Sequence, residues 1–198
     1  MLPMTGPNPA DLAEVITALG RGEVVGLPTD TVYGLGVDPF SRAAVEGLFA
    51  VKRRPAVKPI PLLAASVEQA GRVGVLAGAA REAVERHWPG ALTVVVRRAP
   101  GLPDWLGDPV RDSVGLRVPD HPAALVLLAA AGPLAVTSAN RSGLAPAPDA
   151  AVARAIFGVE VAAYLPGAGG GGAPSTVVDF TGRAPRVLRA GPIDWERP

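Results

Sequence analysis

Apolar positions recur along this chain with two spacings, and each spacing predicts its own kind of element. The helical spacing comes first. Asn8 stands where a cap is wanted and Pro9 at a first helical position. Leu12, Val15, Ile16 and Leu19 then recur on one face until Gly20 and Gly22 end the run. Ser41 is placed to cap a second helix with Val45, Leu48 and Phe49 inward, and Ser66 to begin a short third. Residues 78–87 and 149–157 read as helices, and 121–131 is a helix apolar nearly all round, which predicts burial. Between them lie short apolar runs that read as strands, "EVVGLP", "IPLLAA", "ALTVVVRR", "SVGLRVP", "PLAVTSAN", "VAAYLP", "STVVDF" and "RVLRAG", of which "ALTVVVRR" is the clearest and is rich in β-branched residues. Strands interspersed with helices predict one α/β domain with a mixed sheet.

The pattern breaks in three places, each just after an apolar strand. In "LPTDTVYGLGVDPF", residues 27–40, neither period survives: Thr29, Asp30, Thr31 and Tyr33 are followed by Gly34 and Gly36. The other breaks are residues 137–143 and 167–175. Ligands of open α/β sheets gather outside strand ends, so these loops are candidates to converge on one pocket. Gly34 and Gly36 read as turn residues, and Asp30 either as a loop cap, the plainer reading, or as a group that helps position a metal. "GAGGGGAP", 167–174, reads as a flexible loop and a candidate hinge. It matches neither nucleotide-binding glycine fingerprint.

Composition narrows the chemistry. The 198 residues carry a net charge of +1, so no global field attracts nucleic acid or an anionic membrane. Absence of Cys excludes disulfides, thiolate metal sites and Cys nucleophiles, and suits a cytoplasmic location. The N-terminal "MLPMTGPNPADL" has no secretory pattern, and the longest apolar run, Ala123 to Ala131, is too short to span a bilayer, so no membrane partner is expected. Arg occurs 17 times and Lys only twice, yet both Lys residues fall within "KRRPAVK". Lys52, Arg53, Arg54 and Lys58 could clamp a polyanion or could form a solvated face, and their spacing leaves both open. His87 and His121 have no metal-ligand spacing and are expected to cap or pack. Aromatic residues are few, at 5%, so no stacking platform for bases is evident.

In combination, "PTDTVYGLG", "KRRP…KP", "HWPGALTVVV", "SVGLRVPDHP", "TSANRSG", "STVVD" and "RVLRAG" resemble the YrdC-type L-threonylcarbamoyladenylate synthases in order and near spacing, over roughly residues 22–191. The resemblance is to the short, single-domain form. It implies a YrdC/RibB-like α/β (α+β) fold, a twisted mixed sheet flanked by helices, in a single domain over 1–198 with its motif-bearing core at about 8–191. It implies a nucleotidyltransferase that makes threonylcarbamoyl-AMP and pyrophosphate from L-threonine, bicarbonate and ATP, with Mg²⁺ on the phosphates. The product would serve N6-threonylcarbamoyladenosine modification of tRNA through a separate transfer complex. Such a concave basic surface could instead serve a non-catalytic RNA-binding module, with weak RNA binding. The Cys-rich hydrogenase-maturation relatives are excluded by the absence of Cys.

Residue roles also come from the resemblance. Thr31 is expected to contact threonine, Tyr33 to shape its pocket, Arg117 to pair with its carboxylate, and Ser138 and Ser175 to lie on the threonine side. Lys52 and Arg54 are expected on the ATP phosphates with Lys58 nearby, and Ser113, Asn140 and Arg189 on the nucleotide. Lys52, Arg54 and Arg117 would neutralise charge, with no single strong base. The chain departs from the family pattern at Lys58, often Asn, and at Leu63, where some members have His. It also departs at Ala147, Pro148 and Pro174, where polar residues are commoner.

Overall fold

The computed structural model describes residues 6–53 and 59–195. Six α-helices are α1 (Pro9–Gly20), α2 (Arg42–Lys52), α3 (Val67–Gly71), α4 (Ala79–His87), α5 (Pro122–Ala131) and α6 (Ala150–Phe157). Their starts follow local chemistry. Asn8 Oδ1 accepts from Ala10 N, Ser41 Oγ from Ala44 N, Ser66 Oγ from Gln69 N and Asp149 Oδ1 from Val152 N. Nine strands are β1 (Val25–Leu27), β2 (Gly34–Val37), β3 (Leu62–Leu63), β4 (Leu92–Arg97), β5 (Ser113–Arg117), β6 (Leu134–Ser138), β7 (Ala163–Tyr164), β8 (Thr176–Asp179) and β9 (Arg186–Arg189). They join one mixed sheet in the order β7-β1-β2-β6-β3-β5-β4-β8-β9. Every element predicted from the pattern is present. Strand β2 is the addition, formed where turn residues were expected.

Alternation across the pleat divides the core in two. On one face, Leu35, Val37, Leu62, Leu92, Val94, Leu116 and Val178 pack with Leu48 of α2, Val84 of α4 and Phe157 of α6. On the other, Val25, Leu27, Leu63, Leu134 and Val136 pack with Val15 and Leu19 of α1 and Leu127 and Leu128 of α5. The second helical layer is short. It covers β7, β1, β2, β6 and β3, while the same face of β5, β4 and β8 carries Ser113, Gly115, Arg117, Thr93, Val95, Val177 and Asp179 into two clefts. Among the described residues no helix is long and apolar enough to cross a membrane.

Candidate functional site

The first cleft, of about 230 Å³, opens where α1 and α5 stop covering the sheet. Thr29, Thr31 and Val32 come from the loop between β1 and β2, Thr137 and Ser138 from the end of β6, and Pro174 and Ser175 from the entry to β8. The three polar loops singled out in the sequence do converge. Thr93 and Arg117 rise from the sheet itself, and Pro61, Leu63 and Val136 supply apolar wall. Gly34 forms part of the floor. A Cβ there would lie 2.8 Å from Val136 Cγ1, so the small residue is required by close approach within a strand. This corrects the reading of Gly34 and Gly36 as turn residues. Both pair in the sheet, Gly34 with Ser138 and Gly36 with Val136.

Arg117 is the charged centre of this cleft and is only 5% exposed. Its Nε donates to Gly90 O at 2.8 Å, Nη1 to Thr31 Oγ1 at 2.9 Å and Nη2 to Asp30 Oδ1 at 2.5 Å. Burial lowers its pKa and the Asp30 carboxylate opposes that shift. A guanidinium has five N–H donors, so these three bonds fix the plane and leave two donors for a ligand. Asp30 is therefore an ion-pair partner and not a loop cap. The loop's turn is made by Thr29, whose Oγ1 accepts from Thr31 N and Val32 N and donates to Val32 O.

That turn also decides Tyr33. It interrupts the alternation, so Thr29 and Thr31 face the cleft while Tyr33 faces the opposite core with Leu35 and Val37. Tyr33 is fully buried, and its hydroxyl donates to Leu165 O at 2.7 Å. Burial pushes its pKa up. Its side chain does not line the cleft, which corrects the expectation of a direct part in the threonine pocket.

A second cleft of about 310 Å³ continues along the bare face. Gly115, Val95 and Val177 make an apolar floor, with Ser113, Arg111, Asp108, Asp179 and Thr181 around it. Thr93, Arg189, Pro59 and Pro61 line both clefts and mark their junction. Arg189 Nε donates to Ser175 O at 3.0 Å and Nη2 to Ser175 Oγ at 3.1 Å. Partial burial and the nearby positive charge of Arg117 lower the Arg189 pKa. Two guanidiniums held toward one cleft suit an anion between them.

Lys52 and Asn140 stand beside the first cleft and outside its lining. Lys52 is 3% exposed, and its Nζ donates to Ser138 O at 2.5 Å, Asn140 O at 2.8 Å and Asn140 Oδ1 at 3.1 Å. Ser138 Oγ also donates to Asn140 Oδ1 at 2.5 Å. Lys52 thus ties the end of α2 to the turn after β6. Arg54 and Lys58 lie outside the described residues. Arg53 closes α2 in the left-handed region, φ 51°.

The glycine run packs against the loops beside it: Gly170 N donates to Thr29 O at 3.0 Å and Gly169 N to Pro148 O at 2.8 Å. A Cβ on Gly170 would strike Asp30 O. His87 packs against Trp195 with ring centroids 6.2 Å apart. His121 occupies the cap position of α5 without a side-chain cap bond. The sequence reading missed Thr93 and the Gly90 carbonyl. Thr93 looked like an ordinary strand residue, and nothing local distinguishes a carbonyl that a distant Arg will use.

A twisted mixed sheet with paired arginine-bearing clefts on its uncovered face defines the class, an α/β protein whose clefts suit small anionic ligands. The chain belongs to the Sua5/YciO/YrdC family, described as "Telomere recombination", which it matches over residues 17–191. A Mycobacterium tuberculosis relative is 45% identical over 188 residues, covering 94% of this chain and 86% of its own. A Yersinia enterocolitica protein named threonylcarbamoyl-AMP synthase is 39% identical over 181 residues, covering 89% of this chain and 95% of its own. The crystal structure of P. abyssi Sua5 complexed with L-threonine superposes with a TM-score of 0.84 at 32% identity. That superposition covers 91% of this chain and 54% of the P. abyssi chain, so this chain spans about half of that protein. The E. coli YciO structure, TM-score 0.85 at 24% identity, shares the fold over 96% of this chain and 95% of its own.

Proposed function

We propose that this chain is a threonylcarbamoyl-AMP synthase, a nucleotidyltransferase that joins L-threonine, bicarbonate and ATP and releases pyrophosphate. One observation carries the reading: an arginine fork in a hydroxyl-lined cleft adjoins a second cleft with an apolar floor. The first suits an amino-acid carboxylate and side-chain hydroxyl, the second a nucleoside. The names of the curated relatives and the threonine bound by P. abyssi Sua5 support the assignment.

Threonine would lie in the first cleft with its carboxylate on the two remaining Arg117 donors, near Thr31, Ser138 and Ser175. Its amine takes up CO₂ to form a carbamate. The nucleoside would lie over Gly115, Val95 and Val177 beside Ser113, with the α-phosphate near Arg189. The carbamate oxygen then attacks the α-phosphorus. Alignment and charge neutralisation carry such a step, because every reactant is anionic. Arg54 and Lys58 would serve the β- and γ-phosphates, while Lys52, whose donors go to Ser138 and Asn140, would brace the turn beside them. Among the described residues no three acidic or His side chains gather to hold a cation. Mg²⁺ would enter as MgATP, with phosphate oxygens and water as its main ligands. The product would pass to the tRNA threonylcarbamoyl-transfer complex in the cytoplasm.

The test is to incubate the purified chain with MgATP, L-threonine and bicarbonate and look for threonylcarbamoyl-AMP by mass spectrometry. Product that requires all three substrates supports the reading. A folded protein that yields none overturns it.

A further inference from the structure

Thr93 lies at the junction of the two clefts, lining both, and is only 4% exposed. Its Oγ1 is 2.7 Å from Ser175 Oγ, and Ser175 is also 4% exposed. Arg189 Nη2 donates into the same Ser175 oxygen at 3.1 Å. The donor count of this group is informative. Two hydroxyls carry two protons, and their mutual bond uses one. Arg189 adds a donor and takes no proton. Among the described residues no acceptor receives the second hydroxyl proton, whichever oxygen holds it. A buried donor on a cleft wall needs an acceptor, which is water in the open cleft or an oxygen of a ligand that displaces that water. Arg189 holds Ser175 Oγ, and Arg117 lines the same cleft, so an anionic oxygen is the acceptor the surroundings favour.

Resting on the synthase reading, we infer that Thr93 and Ser175 form a two-hydroxyl oxyanion site for the α-phosphoryl group, with Thr93 a further catalytic residue. In the step it serves, the carbamate oxygen forms a bond to the α-phosphorus. The bond from the α-phosphorus to the oxygen that links it to the β-phosphorus breaks, and pyrophosphate leaves with that oxygen and the electron pair. The hydroxyl pair donates one hydrogen bond to a non-bridging oxygen and transfers no proton. Arg189 anchors Ser175 from behind, through both its hydroxyl and its carbonyl, so the donor is held in place before ligand arrives.

Steady-state formation of threonylcarbamoyl-AMP by Thr93→Val and Thr93→Ser tests this. Val keeps the branched shape and removes the hydroxyl, and Ser keeps the hydroxyl. The expected result for Thr93→Val is a kcat lower by about 100-fold, the order seen when one oxyanion donor is lost. KM for ATP and for threonine should stay within about twofold, the sign of an interaction made in the transition state. Thr93→Ser should recover most of the rate. If Thr93→Val folds poorly, Thr93→Ala carries the same comparison. Wild-type kcat in the hydroxyl-free variant overturns the inference and leaves the synthase reading standing. So does a loss confined to KM for threonine, or a Ser variant as impaired as Val. If the wild-type chain makes no product, the synthase reading itself has failed.

Discussion

The two halves of one sheet face obey the same alternation and have opposite fates. Under α1 and α5 the outward residues are Val25, Leu27, Leu134 and Val136, and they make core. Beyond the helices the equivalent positions are Arg117, Thr93, Ser113 and Asp179, and they make clefts. Both halves mix parallel and antiparallel pairs, so strand direction does not decide the outcome. The second helical layer simply stops, and polar residues occupy the positions it leaves bare. Residues on the covered half should therefore govern stability, and residues on the bare half should govern chemistry. Gly34 and Arg117 lie near the boundary, where the two roles meet.

The largest expected effect is at Arg117. Arg117→Ala should lower threonylcarbamoyl-AMP formation by about two orders of magnitude, from a charge-assisted contact worth roughly 1.5–3 kcal/mol. It should also destabilise the fold by about 3–5 kcal/mol, because Asp30 keeps a buried charge without its partner. Adding Asp30→Asn should restore part of that stability and none of the activity, which separates the two roles. Chemical denaturation and product assays read each. Recovery of activity in the double variant would place the chemistry elsewhere.

On the covered half, Leu127→Ala should cost about 2–5 kcal/mol in denaturant unfolding. Activity per folded molecule should be unchanged. A shift in KM for threonine would break the division between the halves. At the boundary, Gly34→Ala should cost about 1–3 kcal/mol by overpacking against Val136 and should also narrow the first cleft. Calorimetry and KM for threonine should both respond.

The smallest effect concerns acid. Burial pushes the Asp179 carboxyl up, but hydrogen bonds from the Thr181 hydroxyl and N–H and from Arg186 outweigh burial and hold its pKa below the ordinary value. A carboxyl depressed on folding stabilises fully above its unfolded pKa and loses that contribution as pH falls through the folded one. Unfolding titrations below about pH 4 should therefore show a shallower acid slope for Asp179→Asn than for wild type. Equal slopes would remove Asp179 from the acid response.

Much of this was readable in the chain. Asn8, Ser41, Ser66 and Asp149 cap the helices that the spacing predicts. Thr31, Ser138, Ser175 and Arg117 share one cleft, as the motifs implied. The misreadings have a common cause. Gly34 and Gly36 carry the local chemistry of a turn, yet they pair with β6 because Val136 fills the space a side chain would need. Tyr33 kept the parity of Thr31 on paper, until the Thr29 hydroxyl turned the backbone between them.

The sequence by itself determined every element but β2, the side-chain caps of α1, α2 and α3, and the polar loops at the strand ends. These depend on neighbours within a few residues. Tertiary structure alone decided that Asp30 meets Arg117 across 87 positions and Thr93 meets Ser175 across 82. It also decided that the face of β5, β4 and β8 stays bare. Alternation looks the same for any strand order, so it cannot say which strands become neighbours or where a helical layer ends. Packing settles that, and with it which of several ordinary hydroxyls and arginines form a site.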